Sequence, residues 1–201
     1  MIIKKINTNL LLMSKCNLVF IILIILSVKS TFSFAQLPVQ VRSGLIDIND
    51  GTIGKPNANK YSALTDSLDK NLKTHPNDTS SLFFRAVLYL SFNKVMVNPD
   101  LGNKIAFNNL IIAKNMAEKA ITLKMQNFYL KVLRAEIYRE LSFRLGGDES
   151  WKFNSKQIAD RRKQFNQYKE LANKYYDELA VLDNGNAYDY QKLKVTNKYP
   201  L

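Results

Sequence analysis

Along residues 58–200, apolar side chains recur three and four positions apart, the spacing of one face of an α-helix. Tyr61, Leu64, Leu68 and Leu72 predict a first helix. Pro76 stops it, because proline lacks the backbone donor and clashes with the preceding turn. Asp78 or Thr79 can cap a second helix over about 79–93, whose inward positions are Leu82, Phe83, Ala86, Tyr89 and Leu90. Asn98-Pro99-Asp100 breaks the chain. A third helix, about 103–124, turns Ile105, Ala113, Met116, Ala117, Ala120 and Leu123 inward. A fourth, about 128–144, ends at Gly146-Gly147, where glycine can take the left-handed cap geometry. The fifth is long, about 154–183. Its Ile158, Phe165, Tyr168, Ala172, Tyr175, Leu179 and Leu182 fall on an a/d seam that could pair within the chain or with another subunit. A short last helix begins near Ala187. No stretch has the alternation of a central strand, so the predicted class is all-α.

Residues 36–57 break this pattern. They mix Pro, Gly and β-branched residues without helical period and are expected to form an extended arm or short hairpin that docks on the helices or stays loose. Ahead of them lies a different kind of segment. Residues 1–35 carry Lys4, Lys5, Lys15 and Lys29 and no acid, and Leu18–Leu26 is an uninterrupted apolar run of nine. Crossing a bilayer as a helix takes about 20 apolar residues. With Ser33-Phe34-Ala35 supplying small residues three apart, the segment has the layout of a secretory signal peptide cleaved after Ala35. Retention as an anchor is the alternative. A start at Met13 would leave a signal of 23 residues. Cys16 precedes the apolar run, the wrong side for lipidation. The expected organisation is therefore a signal at 1–35, an arm at 36–57 and a helical domain at 58–201, with an exported protein, periplasmic or extracellular and peripheral to the envelope.

Composition narrows the chemistry. One Cys and one His among 201 residues exclude a disulfide framework, a zinc site and a Ser-His-Asp triad. His75 lies beside Pro76 and reads as a turn residue. The whole chain carries 29 basic and 17 acidic residues, a net +12; four of the lysines are in the signal, leaving +8 after cleavage. Acidic pairs that could serve a glycan-acting hydrolase are Asp66/Asp69, Glu136/Glu140, Asp148/Glu149 and Asp177/Glu178. No cleft-forming pattern accompanies them, so no enzyme, cofactor or metal is expected. Asn77-Asp78-Thr79 is a glycosylation sequon, but as turn and cap it already has a structural use.

Two stretches share one word. Leu82-x-x-Arg85-Ala86-x-x-Tyr89 and Lys131-x-x-Arg134-Ala135-x-x-Tyr138 each follow an Asn-containing turn, and they stand 49 residues apart. Ala113, Ala117 and Ala120 precede the second turn, and Ala172, Tyr176 and Leu179 precede a third at Asn184-Gly185-Asn186, 59 residues on. This resembles the tetratricopeptide repeat (TPR), whose first helix carries W-x2-L-G-x2-Y and whose second carries A-x3-F, an alanine and a closing proline. The Trp is absent, the Leu-Gly pair is Arg-Ala, and the family's 34-residue spacing is exceeded by 15 and 25 residues, placed in the connections near 92–103 and 144–155. The resemblance implies a short α-solenoid of antiparallel hairpins that binds or scaffolds a protein partner. On it the first helix of each unit lines a concave face, which makes Arg85 and Arg134 candidate partner contacts; burial of their stems in packing is the competing reading. The enlarged connections would emerge on one edge, and Trp151 lies in one of them. Residues 151–174 add a local +5 that includes Arg161, Arg162 and Lys163. This gives the alternative function: a basic protein held to anionic envelope polymers or lipid headgroups. Nucleic acid is not an expected partner.

Overall fold

Two short strands precede a helical body. Strand β1 is Val39–Arg42 and β2 is Leu45–Ile48. Six helices follow: α1 (Ser62–Thr74, led in by a 3₁₀ turn at Ala58–Tyr61), α2 (Thr79–Val95), α3 (Lys104–Thr122), α4 (Phe128–Leu145), α5 (Ser155–Leu182) and α6 (Ala187–Lys192). The computed structural model describes residues 37–51, 58–95, 104–147 and 150–200. The expected signal at 1–35 therefore lies outside the described residues, as do Asp148, Glu149 and most of the 92–103 connection. The fold of the described chain is all-α with helical-hairpin packing, and no described helix is long and apolar enough to cross a membrane.

Helix ends follow the capping chemistry. Asp78 Oδ2 accepts the Ser81 N–H at 2.9 Å and Asn127 Oδ1 accepts the Tyr129 N–H at 2.8 Å, so α2 and α4 begin alike. Asn154 and Gln157 form a reciprocal capping box at the start of α5. The end of α4 departs from expectation: Gly146 has φ −79°, not a left-handed value, and its N–H simply bonds the Ser142 and Phe143 carbonyls. The left-handed cap falls instead at Lys124 (φ 63°), where the Lys124 and Met125 N–H groups bond Ile121 and Ala120.

The most extensive packing is of α4 on α5 and α2 on α3, with α3 on α4, α1 on α2 and α6 on α5 linking these pairs. Helices α2 and α4 lie at the centre. Leu82, Phe83, Ala86, Val87, Leu88 and Leu90 are buried in α2, and Leu130, Leu133, Ala135, Ile137 and Leu141 in α4. Apolar residues therefore cover more than one face of each, and a single stripe understates how deeply they sit. On α3 the buried positions are Ala106, Leu110, Ala113, Ala117 and Ala120. Ile105 lies off that row and is 69% exposed, while Leu123 falls beyond the helix end, so neither joins the core as expected. Leu182, the last residue of α5, is exposed too.

The arm at 36–57 resolves into a hairpin. Ser43 and Gly44 both have positive φ, the two-residue type I′ turn that suits strand twist. The hairpin lies across α4 and α2, and its Ile46 and Ile48 are buried. At the turn, a Cβ on Gly44 would stand 2.8 Å from Leu193 and 3.1 Å from the Tyr190 ring, so the turn is seated against α6 and the residue after it.

Candidate functional site

Arg85 and Arg134 occupy equivalent places. Arg85, only 8% exposed, grips Asp69 of α1 with two bonds, Nε to Oδ1 at 2.6 Å and Nη2 to Oδ2 at 3.1 Å. Arg134 grips Glu118 of α3 the same way, at 2.7 and 2.8 Å. Each acid stands 16 residues before its arginine. Asp69, Asp78, Arg85, Ala86 and Tyr89 are thus matched by Glu118, Asn127, Arg134, Ala135 and Tyr138, all 49 residues on. A planar guanidinium holding a carboxylate by two parallel bonds fixes direction as well as distance, so each pair works as a clamp between neighbouring helices.

Aromatic rings complete the clamps. The Arg85 guanidinium lies 4.0 Å from the centre of the Tyr89 ring and that of Arg134 3.9 Å from Tyr175 of α5. Tyr138 donates its hydroxyl to Glu118 at 2.9 Å. Burial, then the Glu118 charge and hydrogen bond, pushes the Tyr138 phenol well above its ordinary range. For Arg134, burial pulls the pKa down, but Glu118 outweighs it and the net shift is upward, so the clamp stays charged.

Both arginines therefore stand in packed ion pairs. Truncating Arg134 to alanine should lower unfolding free energy by about 1–3 kcal/mol, between the values for exposed and buried pairs, since its side chain is partly covered. A double-mutant cycle with Glu118→Ala, read from urea midpoints, should give a coupling of about 1 kcal/mol. Additive losses would mean that the pair is not a clamp.

The third turn carries a weaker version. Asp177 lies 59 residues after Glu118, the same step that separates Asn127 from Asn186, the residue that precedes α6. Lys194 reaches it at 2.8 and 2.9 Å, and Gln191 at 2.9 Å. These two bonds hold the Asp177 carboxyl below its ordinary range.

The remaining candidates lie elsewhere. Trp151, in a 3₁₀ turn at Ser150–Lys152, is 75% exposed. Arg161 turns towards the body: its guanidinium stacks 4.2 Å from the Phe153 ring and Nη2 reaches the Leu145 carbonyl at 3.5 Å. Arg162 and Lys163 are exposed, and the Arg162 guanidinium is 5.8 Å from the Tyr199 ring. The six sequence candidates thus fall in three places: the α1–α2 clamp, the α3–α4 clamp and the turn before α5 with the first part of that helix. Arg134 also edges a cavity of about 210 Å³ whose wall includes Met125, Leu130, Tyr175 and Leu182.

Most of the acids weighed for catalysis have structural partners. Glu136 is fully buried, and its Oε2 accepts the Ile46 N–H of β2 at 2.8 Å. Glu140 lies 3.7 Å from Arg139, Asp69 is in the first clamp and Asp177 is tied to Lys194. His75 is exposed in its turn, with Nδ1 2.9 Å from the Thr74 hydroxyl and 3.1 Å from Asn71 Oδ1. Among the described residues no cluster of His, Cys, Asp and Glu could hold a metal.

Asp69, Glu118 and Glu136 were not singled out in these roles by sequence pattern. The 49-residue step, applied to acids as well as to Arg-Ala-x-x-Tyr, finds the first two. Nothing local marks Glu136, whose partner is 90 residues away. Compared with known proteins, the chain matches no family model, no curated protein and no solved structure significantly.

Proposed function

We propose that the chain is an exported, non-catalytic interaction or scaffolding module, built as a short TPR-like solenoid with enlarged connections. The recurrence of the clamp, the cap and the Ala-x-x-Tyr word at one step supports a repeat architecture. The charged apolar leader and the lack of cysteine after it support export. In a TPR-like reading the first helices are α2, α4 and α6. The hairpin lies over α2 and α4 and its turn meets α6, taking up the face that such a reading gives to a partner. This moves the proposed partner site to the edge at the α4–α5 connection. The observation that carries it is Trp151, 75% exposed, with exposed Arg162 and Lys163 following in the first turns of α5. Trp and Arg are enriched among residues that dominate interface energies.

Capture from native envelope extract, with residues 36–201 as bait at low and high salt, tests this. The expected result is one or two proteins retained at high salt and lost on combining Trp151→Ala, Arg162→Glu and Lys163→Glu. Retention by that triple variant would end the proposal for this edge. The second reading, attachment to anionic polymer or lipid headgroups, rests on the +5 of residues 151–174. It requires capture that disappears with salt, because exposed charges are screened over about 8 Å at physiological ionic strength.

A further inference from the structure

A cavity of about 480 Å³ opens where the end of α4, the Phe165 turn of α5 and the segment 192–200 meet. Its lining is one-signed. Arg139, Lys192, Lys194 and Lys198 border it, and no carboxylate belongs to the lining among the described residues. Lys194 is balanced from outside by Asp177, and Glu140 stands 3.7 Å from Arg139. Lys192 and Lys198 are exposed, so their charges can turn to a ligand with little loss of hydration. The floor is different: Phe165 is buried there, and Phe143 presents a half-exposed ring.

The wall is held in place before any ligand arrives. Asn173 of α5 bonds Val195 twice, donating to its carbonyl at 3.0 Å and accepting its N–H at 2.7 Å. Lys169 donates to the Thr196 and Asn197 carbonyls at 3.2 and 2.7 Å. The Tyr199 ring packs 5.6 Å from Phe165. A chain end pinned by side chains to a 28-residue helix is a fixed surface. The volume falls within the range of about 300–1,000 Å³ typical of small-molecule sites, far more than a bare inorganic anion fills.

We propose that this cavity binds an amphipathic organic anion of the fatty-acid type: an apolar body laid on Phe143 and Phe165, and a carboxylate held between Lys192, Lys198 and Arg139. The two halves of the lining demand both parts of the ligand. The cations alone would accept phosphate in water just as well, and the aromatic floor alone would accept a neutral detergent. This site is independent of Trp151 and stands whether or not a protein partner binds at that edge.

Displacement of the fluorescent aromatic sulfonate anilinonaphthalene sulfonate from the full chain tests it, with octanoate, octyl glucoside and inorganic phosphate as competitors. Octanoate should displace the probe at concentrations about tenfold or more below either of the others, the scale of one hydrogen bond to a charged group. Lys192→Glu combined with Lys198→Glu should weaken octanoate by about tenfold or more. The matched reversal of two exposed lysines on α1, Lys70→Glu with Lys73→Glu, should leave it within about twofold, as expected for charges screened beyond a Debye length. Equal displacement by octyl glucoside would make the site merely apolar, and equal displacement by phosphate would make it merely cationic. Loss in both lysine pairs alike would reduce it to overall charge. Each of these results, or no displacement by octanoate, overturns the proposal.

Discussion

Glu136→Ala is expected to lower unfolding free energy by about 2–4 kcal/mol and to release the N-terminal hairpin from α4. Two effects add. The Ile46 N–H, now bonded to the carboxylate in a buried setting, loses its acceptor, which costs about 1–3 kcal/mol when no water replaces it. The truncated side chain also leaves a void at a fully buried position, a further cost of the same order. One effect opposes them. A buried carboxylate carries its own desolvation cost, and removing it returns part of that. The loss wins because alanine supplies neither an acceptor nor the volume. Glu136→Gln keeps an amide oxygen in reach and should lose less than half as much. Glu136→Met restores volume without the acceptor and should fall between the two. Urea midpoints give the energies, and amide exchange at Ile46 locates them. Unchanged exchange at Ile46 in Glu136→Ala would show that the carboxylate does not hold the strand.

Gly44 gives the second large effect, and Gly51 its control. Both have φ +76°. A side chain at either position forces an L-residue into the left-handed region, at about 1–2 kcal/mol. Around Gly51 nothing lies within 4 Å of an added Cβ, so Gly51→Ala should cost only that. Around Gly44 the Cβ would meet Leu193 at 2.8 Å and the Tyr190 ring at 3.1 and 3.3 Å. The end of the leucine can give way. Tyr190 cannot easily, because it is fully buried and its hydroxyl is tied to Asp183 at 2.8 Å. Gly44→Ala should therefore cost about 1–3 kcal/mol more than Gly51→Ala, the range for overpacking a filled site. Equal losses in the two variants would mean that the hairpin turn does not bear on α6.

What could be read from the sequence depended on how local the cause was. Helix bounds were legible because Pro76, Asp78, Asn127 and Asn154 act within a few residues of themselves; α4 and α5 begin and end within one residue of the expected positions. Burial was legible on α5, where Phe165, Ala172, Tyr175 and Leu179 follow the seam, and failed where an apolar residue fell off the row or past the end, as at Ile105, Leu123 and Leu182. The arginines stood out as a repeated word, but their role did not, since the partner acid sits on the preceding helix. The cavity at the chain end was out of reach for a different reason. Lys192, Lys194 and Lys198 read as an exposed basic tail until Asn173 and Lys169 are seen folding that tail back along α5.

The hairpin also sets an order of assembly. Each clamp joins residues 16 positions apart and can close once its own two helices exist, the kind of short-range contact that forms early. The hairpin is synthesised before any helix, yet its strand bond waits for α4, and its turn waits for Tyr190 and Leu193, near the other end of the described chain. For a chain made, or threaded through a pore, from its N-terminus, the first element to emerge is the last to seat. Until then Ile46 and Ile48 lack the surface that buries them and can serve as a handle for a chaperone. A chain stopped before residue 187 would keep both clamps and still leave its earliest-made segment without its final seat.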